Sequence, residues 1–267
     1  MLVPLNPVRV QSRFGQLAGT SGGVDDDRPP LVLLHGLTFD RTMWWPALAA
    51  LEGIDPGRRT LALDLPGHGS SPRQPSYDLP DVVELVQEAI VDAGFVAPVL
   101  AGHSIAGVVA TMLAARHPAS GVIAVDQLLE TAAFVAQLHA IEPQVRGDGF
   151  PEVWRRFHAS MRIDLLPPAA RALAESTTKP TQELVVGYWD GVFKRSAAEL
   201  RSLVASDLAE LRAAGTPYEL IAGSEPGAAY RAWLKKELPQ ARITVLPETG
   251  HFPHLGDPGA FAARVAA

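Results

Sequence analysis

Short, mostly apolar runs recur along the chain, each stopping at a small or polar residue or a proline. Leu31-Val32-Leu33-Leu34 ends at His35-Gly36, Thr60 to Leu63 stops at Asp64, and Pro98 to Ala101 stops at Gly102. Val122 to Val125 stops at Asp126, Tyr218 to Ala222 at Gly223, and Ile243 to Leu246 at Pro247. Runs this short that lack polar alternation read as strands buried on both faces, the pattern of a parallel sheet. Val8 to Phe14 alternates and predicts an early strand, while Gly19 to Pro30, with Asp25-Asp26-Asp27, predicts an exposed turn. Helical periodicity fills the gaps. Asp78 and Pro80 open a segment whose Val82, Val86 and Ile90 share one face, and Ser104 to Arg116 predicts a second helix closed by His117-Pro118. Asp257 and Pro258 start a last helix, with Phe261 and Val265 four apart and facing inward. Strand and helix alternate, which predicts the α/β class: a doubly wound, mainly parallel sheet with ligands at the carboxyl ends of its strands.

From Leu128 to Ser206 the alternation fails, and helical segments carry Phe134, Trp154, Phe157, Met161, Trp189 and Phe193. This predicts a helical cap at 128–206, inserted after the strand ending at Asp126, with residues 1–127 and 207–267 forming the core. The chain of 267 residues is 47% hydrophobic and 19% charged. That balance is globular, and no apolar run reaches the eighteen or so residues needed to span a bilayer. The segment Met1 to Pro7 has neither a charged start nor a long apolar stretch, which predicts a cytoplasmic protein. Without cysteine there is no disulfide, thiolate nucleophile or thiolate metal site. A net charge of -6 with dispersed Arg and Lys argues against nucleic acid and for a hydrophobic small-molecule substrate, acted on by a monomer or homodimer.

The chemistry centres on Gly102-His103-Ser104-Ile105-Ala106-Gly107, a turn of mostly small residues between a buried strand and a helix. Taken alone it reads either as a nucleophile turn or as a serine cap on a helix. It resembles the nucleophile elbow of the α/β-hydrolase family, with Ala106 where that pattern usually has glycine. His35-Gly36-Leu37 resembles the family's oxyanion loop, and Asp64-Leu65-Pro66-Gly67-His68-Gly69-Ser70-Ser71 its Asp-x-x-Gly-x-Gly-x-Ser turn. With Thr249-Gly250-His251-Phe252-Pro253 near the end, the resemblance covers nearly the whole chain except the cap.

The resemblance implies that Ser104 attacks an acyl carbonyl, that His251 moves the protons, and that the amides of Leu37 and Ile105 hold the oxyanion. The acid is ambiguous. The family's usual Gly-x-x-Asp site is occupied here by Gly223-Ser224-Glu225-Pro226, with proline where the aspartate falls. Asp126 is the favoured acid and Glu225 the alternative; apart from catalysis, Asp126 is a strand-end residue able to anchor the cap. Phe39, His103, Trp154, Phe157 and Trp189 are expected to line an apolar pocket, although aromatics at helical spacing also serve simply as core. The other histidines read as structural or exposed, and none has metal-ligand spacing. No phosphate-binding loop or dinucleotide fingerprint is found, so neither metal nor cofactor is expected. The expected reaction is hydrolysis of a hydrophobic ester, thioester or lactone through an acyl-enzyme. The alternatives are a cofactor-independent dioxygenase of a hydroxylated heteroaromatic using the His251–Asp126 pair, a carbon–carbon bond hydrolase, and a non-catalytic ligand-binding module.

Overall fold

The computed structural model describes residues 10–130 and 132–267; the segment Met1 to Pro7 and the start of the Val8 to Phe14 run lie outside the described residues. Among the described residues eight strands are formed: β1 Val10–Phe14, β2 Leu17–Gly22, β3 Leu31–Leu34, β4 Thr60–Leu63, β5 Val99–His103, β6 Gly121–Val125, β7 Tyr218–Ala222 and β8 Arg242–Val245. They make one sheet in the order β1-β2-β4-β3-β5-β6-β7-β8. β1 and β2 join antiparallel at one edge, and the pairings from β4 through β3, β5, β6 and β7 to β8 are parallel. β3, β4 and β6 are buried along their whole length, which is why their sequences are unbroken apolar runs.

The helices are α1 Trp45–Ile54, α2 Leu79–Asp92, α3 Ile105–Arg116, α4 Ala132–Arg146, α5 Phe150–Ser160, α6 Pro168–Thr177, α7 Gln182–Phe193, α8 Ala197–Ala214, α9 Ala228–Glu237, α10 Pro253–Gly256 and α11 Pro258–Val265. Successive strand side chains point to opposite faces, so Leu31 and Leu33 pack with α1 and α11, whereas Val32 and Leu34 join the cluster that includes α2 and α3. α2 buries Val82, Val86 and Ile90, and Asp257 caps α11 by accepting from the Ala260 amide at 2.9 Å. Between β6 and β7 lie α4 to α8. α8 runs unbroken through Ser206, and its buried Leu208 and Leu211 share the core cluster with α3.

One expected turn is a strand. Residues 17–22 pair with both β1 and β4, and Leu17, Ala18, Gly19 and Thr20 are buried. The run Ala18-Gly19-Thr20-Ser21-Gly22 has turn composition because small residues fit where β2 is squeezed between neighbours. The exposed turn begins only near Val24.

The Asp64 turn braces the loops around the sheet's carboxyl edge. The buried Asp64 carboxylate accepts from the amides of Arg41 and Ser70, each at 2.8 Å, and pairs with the Arg41 guanidinium. Ser71 Oγ donates to the Asp64 carbonyl at 2.6 Å and accepts from the Ala18 amide at 2.8 Å, tying this turn to β2. His35 and His68 accept from the amides of Leu65 and Thr38, at 3.0 and 2.9 Å, and so lock the two loops together. Asp64→Ala leaves a nearly buried guanidinium without its partner and is expected to destabilise the fold by about 3–5 kcal/mol. Urea denaturation measures this, and a loss below about 1 kcal/mol would contradict the brace.

Candidate active site

Three non-glycine residues with positive φ sit just beyond the carboxyl ends of adjacent parallel strands: Thr38 after β3 (φ 72°), Ser104 after β5 (φ 54°) and Asp126 after β6 (φ 48°). Such strain persists only where surrounding contacts enforce it, and it clusters at functional sites. The β3–β5 neighbourhood is also where the winding of the sheet reverses, the usual place for a ligand crevice.

Ser104 takes the N-cap position of α3 with ψ -131°, and the residues two positions to either side of it, Gly102 and Ala106, are small. A Cβ on Gly102 would stand 2.0 Å from the Ala106 carbonyl oxygen, so that position admits only glycine. Ala106 is itself fully buried, and its methyl group is accommodated. Gly36 serves the same close approach from the β3 loop: a Cβ there would meet His103 Nδ1 at 2.8 Å and Ser104 Cβ at 3.3 Å. Gly36→Ala is therefore expected to cost about 1–3 kcal/mol through overpacking against a fixed ring. A melting temperature equal to wild type would show that the loop has slack.

Asp126 and His251 are joined. His251 Nδ1 lies 2.6 Å from Asp126 Oδ2, and Asp126 Oδ1 accepts from the Gly223 amide at 2.8 Å. A carboxylate can only accept, so in a neutral His251 the hydrogen sits on Nδ1 toward Asp126 and Nε2 holds the lone pair that can take a proton. The pair is neither sealed nor open, with side-chain exposures of 20% for His251 and 21% for Asp126. Glu225 is placed elsewhere: its carboxylate is 58% exposed and forms a two-pronged pair with Arg231 at 2.6 and 2.8 Å.

Ser104 Oγ makes no hydrogen bond among the described residues, while its side chain remains partly exposed. His251 is nevertheless anchored one residue away, because its carbonyl accepts from His103 Nε2 at 2.7 Å and the two rings lie tilted at 50° with centroids 4.7 Å apart. The Leu37 amide also has no acceptor among the described residues. Ile105 opens α3, where helix geometry leaves the first amides without an intrahelical acceptor. Both expected oxyanion donors are therefore unspent.

Of the residues expected to line a pocket, His103 is turned away from any opening. His103 is fully buried behind the elbow, packed against Phe252, His254 and Phe39 rather than facing an opening. Phe39 is nearly buried, edge-on to Phe252 at 5.4 Å, and only borders a cleft with Thr38, Asp40 and Lys179. Trp154, Phe157 and Trp189 pack on one another, with ring centroids 5.3 to 6.4 Å apart, as a local aromatic core of the inserted helices. Two contacts to the site have no signature in the sequence: the Gly223 amide that orients Asp126, and the Met161 carbonyl that accepts from the His251 amide at 2.9 Å.

Four histidines around the site, His35, His68, His103 and His254, are buried, and burial holds each pKa below the ordinary value, that of His254 down to about 3. The unfolded chain binds these protons near pH 6.5, whereas the folded one does not. Their neutral burial thus leaves stability complete above about pH 6.5 and progressively lost as pH falls toward the folded-state values, by up to about 1.4 kcal/mol per pH unit for each histidine. Urea midpoints measured from about pH 7 to about pH 5 should fall steeply, and His254→Phe should reduce the slope by one proton. A midpoint flat over that range would contradict neutral burial.

The same architecture is found in known proteins. The model of the alpha/beta hydrolase family matches residues 31–264, and the chain belongs to that family. It is 28% identical over 265 residues to a pimeloyl-[acyl-carrier protein] methyl ester esterase of Nitrosospira multiformis, covering 89% of this chain and 93% of that one. Two other curated relatives are longer. A biotin biosynthesis bifunctional protein of Cellvibrio japonicus is 36% identical over 121 residues, covering 44% of this chain and 22% of its own. A dihydrolipoyllysine-residue acetyltransferase component of an acetoin cleaving system from Pseudomonas putida is 29% identical over 256 residues, covering 90% of this chain and 61% of its own. Among solved structures, the thioesterase domain from the curacin biosynthetic pathway superposes with a TM-score of 0.66 at 20% identity, covering 98% of this chain and 99% of that one. No described helix is long and apolar enough to cross a membrane.

Proposed function

We propose that the protein is a serine hydrolase that cleaves a hydrophobic small-molecule ester, thioester or lactone through Ser104, His251 and Asp126. The observation that carries this reading is the 2.6 Å contact of His251 Nδ1 with Asp126, beside a strained serine at the sheet's switch point. In the proposed cycle His251 Nε2 takes the Ser104 proton as Oγ attacks the carbonyl carbon. The amides of Leu37 and Ile105 hold the resulting oxyanion, each worth on the order of 3 kcal/mol in the barrier. The protonated imidazole then hands its proton to the leaving oxygen or sulfur, and a water activated by the same nitrogen releases the acid. Asp126 keeps the imidazole in the required tautomer and stabilises it when charged.

The esterase and thioesterase named among the similar proteins support acyl transfer as the reaction class. The inserted helices α4 to α7 act as the cap that supplies apolar cover, while α8, which packs with α3, belongs to the core layer. Nitrophenyl esters of increasing acyl length test the substrate class. A burst of nitrophenol equal to the enzyme present, with kcat/KM rising as the chain lengthens, is the expected result. Absence of turnover at every length, or preference for the shortest acyl group, would contradict it.

A further inference from the structure

His251 is gripped at its main chain from two opposite sides. Its amide donates to the Met161 carbonyl at 2.9 Å, in the turn that follows α5. Its carbonyl accepts from His103 Nε2 at 2.7 Å, at the last residue of β5. Together with Asp126 on the ring, these contacts leave the imidazole little freedom to drift. Among the described residues, the bond from His103 is the hydrogen bond that fastens the His251 loop to the segment that carries Ser104.

The imidazole at 103 is shaped for that one bond. The side chain is fully buried, and burial together with the neighbouring imidazoles of His254, His251 and His35 holds it neutral. A neutral ring has one N–H, and a carbonyl only accepts, so the hydrogen sits on Nε2. Nδ1 is then left bare: it is buried, has no partner among the described residues, and faces Gly36. A phenyl ring would fill the same space without an orphaned nitrogen, which is unfavourable in a buried site. Packing therefore does not account for histidine at this position, whereas the bond to the His251 carbonyl does.

We propose that His103 is a positioning residue whose hydrogen bond to the His251 carbonyl sets the imidazole at its working distance from Ser104, an inference that rests on the serine-hydrolase reading above. His103 does not reach substrate, because it has no exposed surface.

The test uses three variants of the full chain. His103→Phe and His103→Met remove the donor while keeping apolar bulk; His103→Gln keeps an N–H. For the donor-free variants kcat toward a nitrophenyl ester is expected to fall about tenfold with KM within about twofold, the loss of one neutral hydrogen bond. His103→Gln is expected to recover most of kcat. The downfield proton resonance of the His251–Asp126 hydrogen bond, recorded without substrate, should broaden or shift in Phe and Met and persist in Gln. Equal kcat in all three, or a donor-free variant matching wild type in both kcat and resonance, would overturn the proposal. If one donor-free variant fails to fold, the other against Gln decides. A wild-type protein that turns over no ester would defeat the hydrolase reading instead, and the resonance, which needs no turnover, would still decide the role of His103.

Discussion

Ser104→Ala is expected to lower kcat for ester hydrolysis by about four to six orders of magnitude, the scale on which removing a nucleophile acts in enzymes of this type. The fold should barely change. Ser104 Oγ makes no hydrogen bond among the described residues, and alanine inherits the same positive φ, so the thermal midpoint should remain within about 2 °C of wild type. The variant also separates the reactions that the geometry makes competitive. A cofactor-independent oxygenation would use the His251–Asp126 pair as a base toward the organic substrate and needs no hydroxyl at 104. Oxygen uptake with a hydroxylated heteroaromatic that survives in Ser104→Ala would favour that chemistry. Loss of ester turnover with no oxygen uptake in either protein supports acyl transfer.

Asp126→Asn is expected to lower kcat by about four orders of magnitude, and Glu225→Gln to leave it within about twofold. The asparagine has almost the same shape but changes what it offers. To keep accepting from the Gly223 amide, its oxygen must stay there and its NH2 must face His251 Nδ1, which then has to be the unprotonated nitrogen. Nε2 would carry the hydrogen and lose its ability to take one from Ser104. Glu225, by contrast, is engaged with Arg231 in an exposed ion pair, an arrangement worth little. Steady-state kinetics on the two variants, with circular dichroism to confirm folding, measures the contrast. Equal activity in wild type and Asp126→Asn would remove Asp126 from the mechanism.

Much of this architecture can be read from residues because burial on both faces forces unbroken apolar strands, and β3, β4 and β6 need nothing else to be found. β2 escapes that logic. Its Ala18-Gly19-Thr20-Ser21-Gly22 run has the composition of a turn, and only pairing with β1 and β4, a tertiary fact, makes it a strand. At the site, proline at 226 already displaces the usual acid, and a positive-φ aspartate after β6 meets His251 instead. Adjacency in sequence suggests pocket access for both His103 and Phe39, and Phe39 does border a cleft. The elbow turns His103 inward, and the β3 loop lays Phe39 on Phe252. The Met161 contact has no local signal at all, because a backbone carbonyl carries none in its side chain. The 206 boundary drawn for the cap falls inside α8, since a helix that packs on the core can look, in sequence, like the helices before it.

In the proposed cycle Ser104 is a nucleophile made reactive by His251. Intact-protein and peptide mass spectrometry after a brief exposure to a fluorophosphonate tests it most directly. One adduct per chain is expected in wild type, on the peptide containing Ser104, and almost none over the same interval in His251→Ala. Modification at another residue, or labelling of Ser104 at the wild-type rate in His251→Ala, would contradict it.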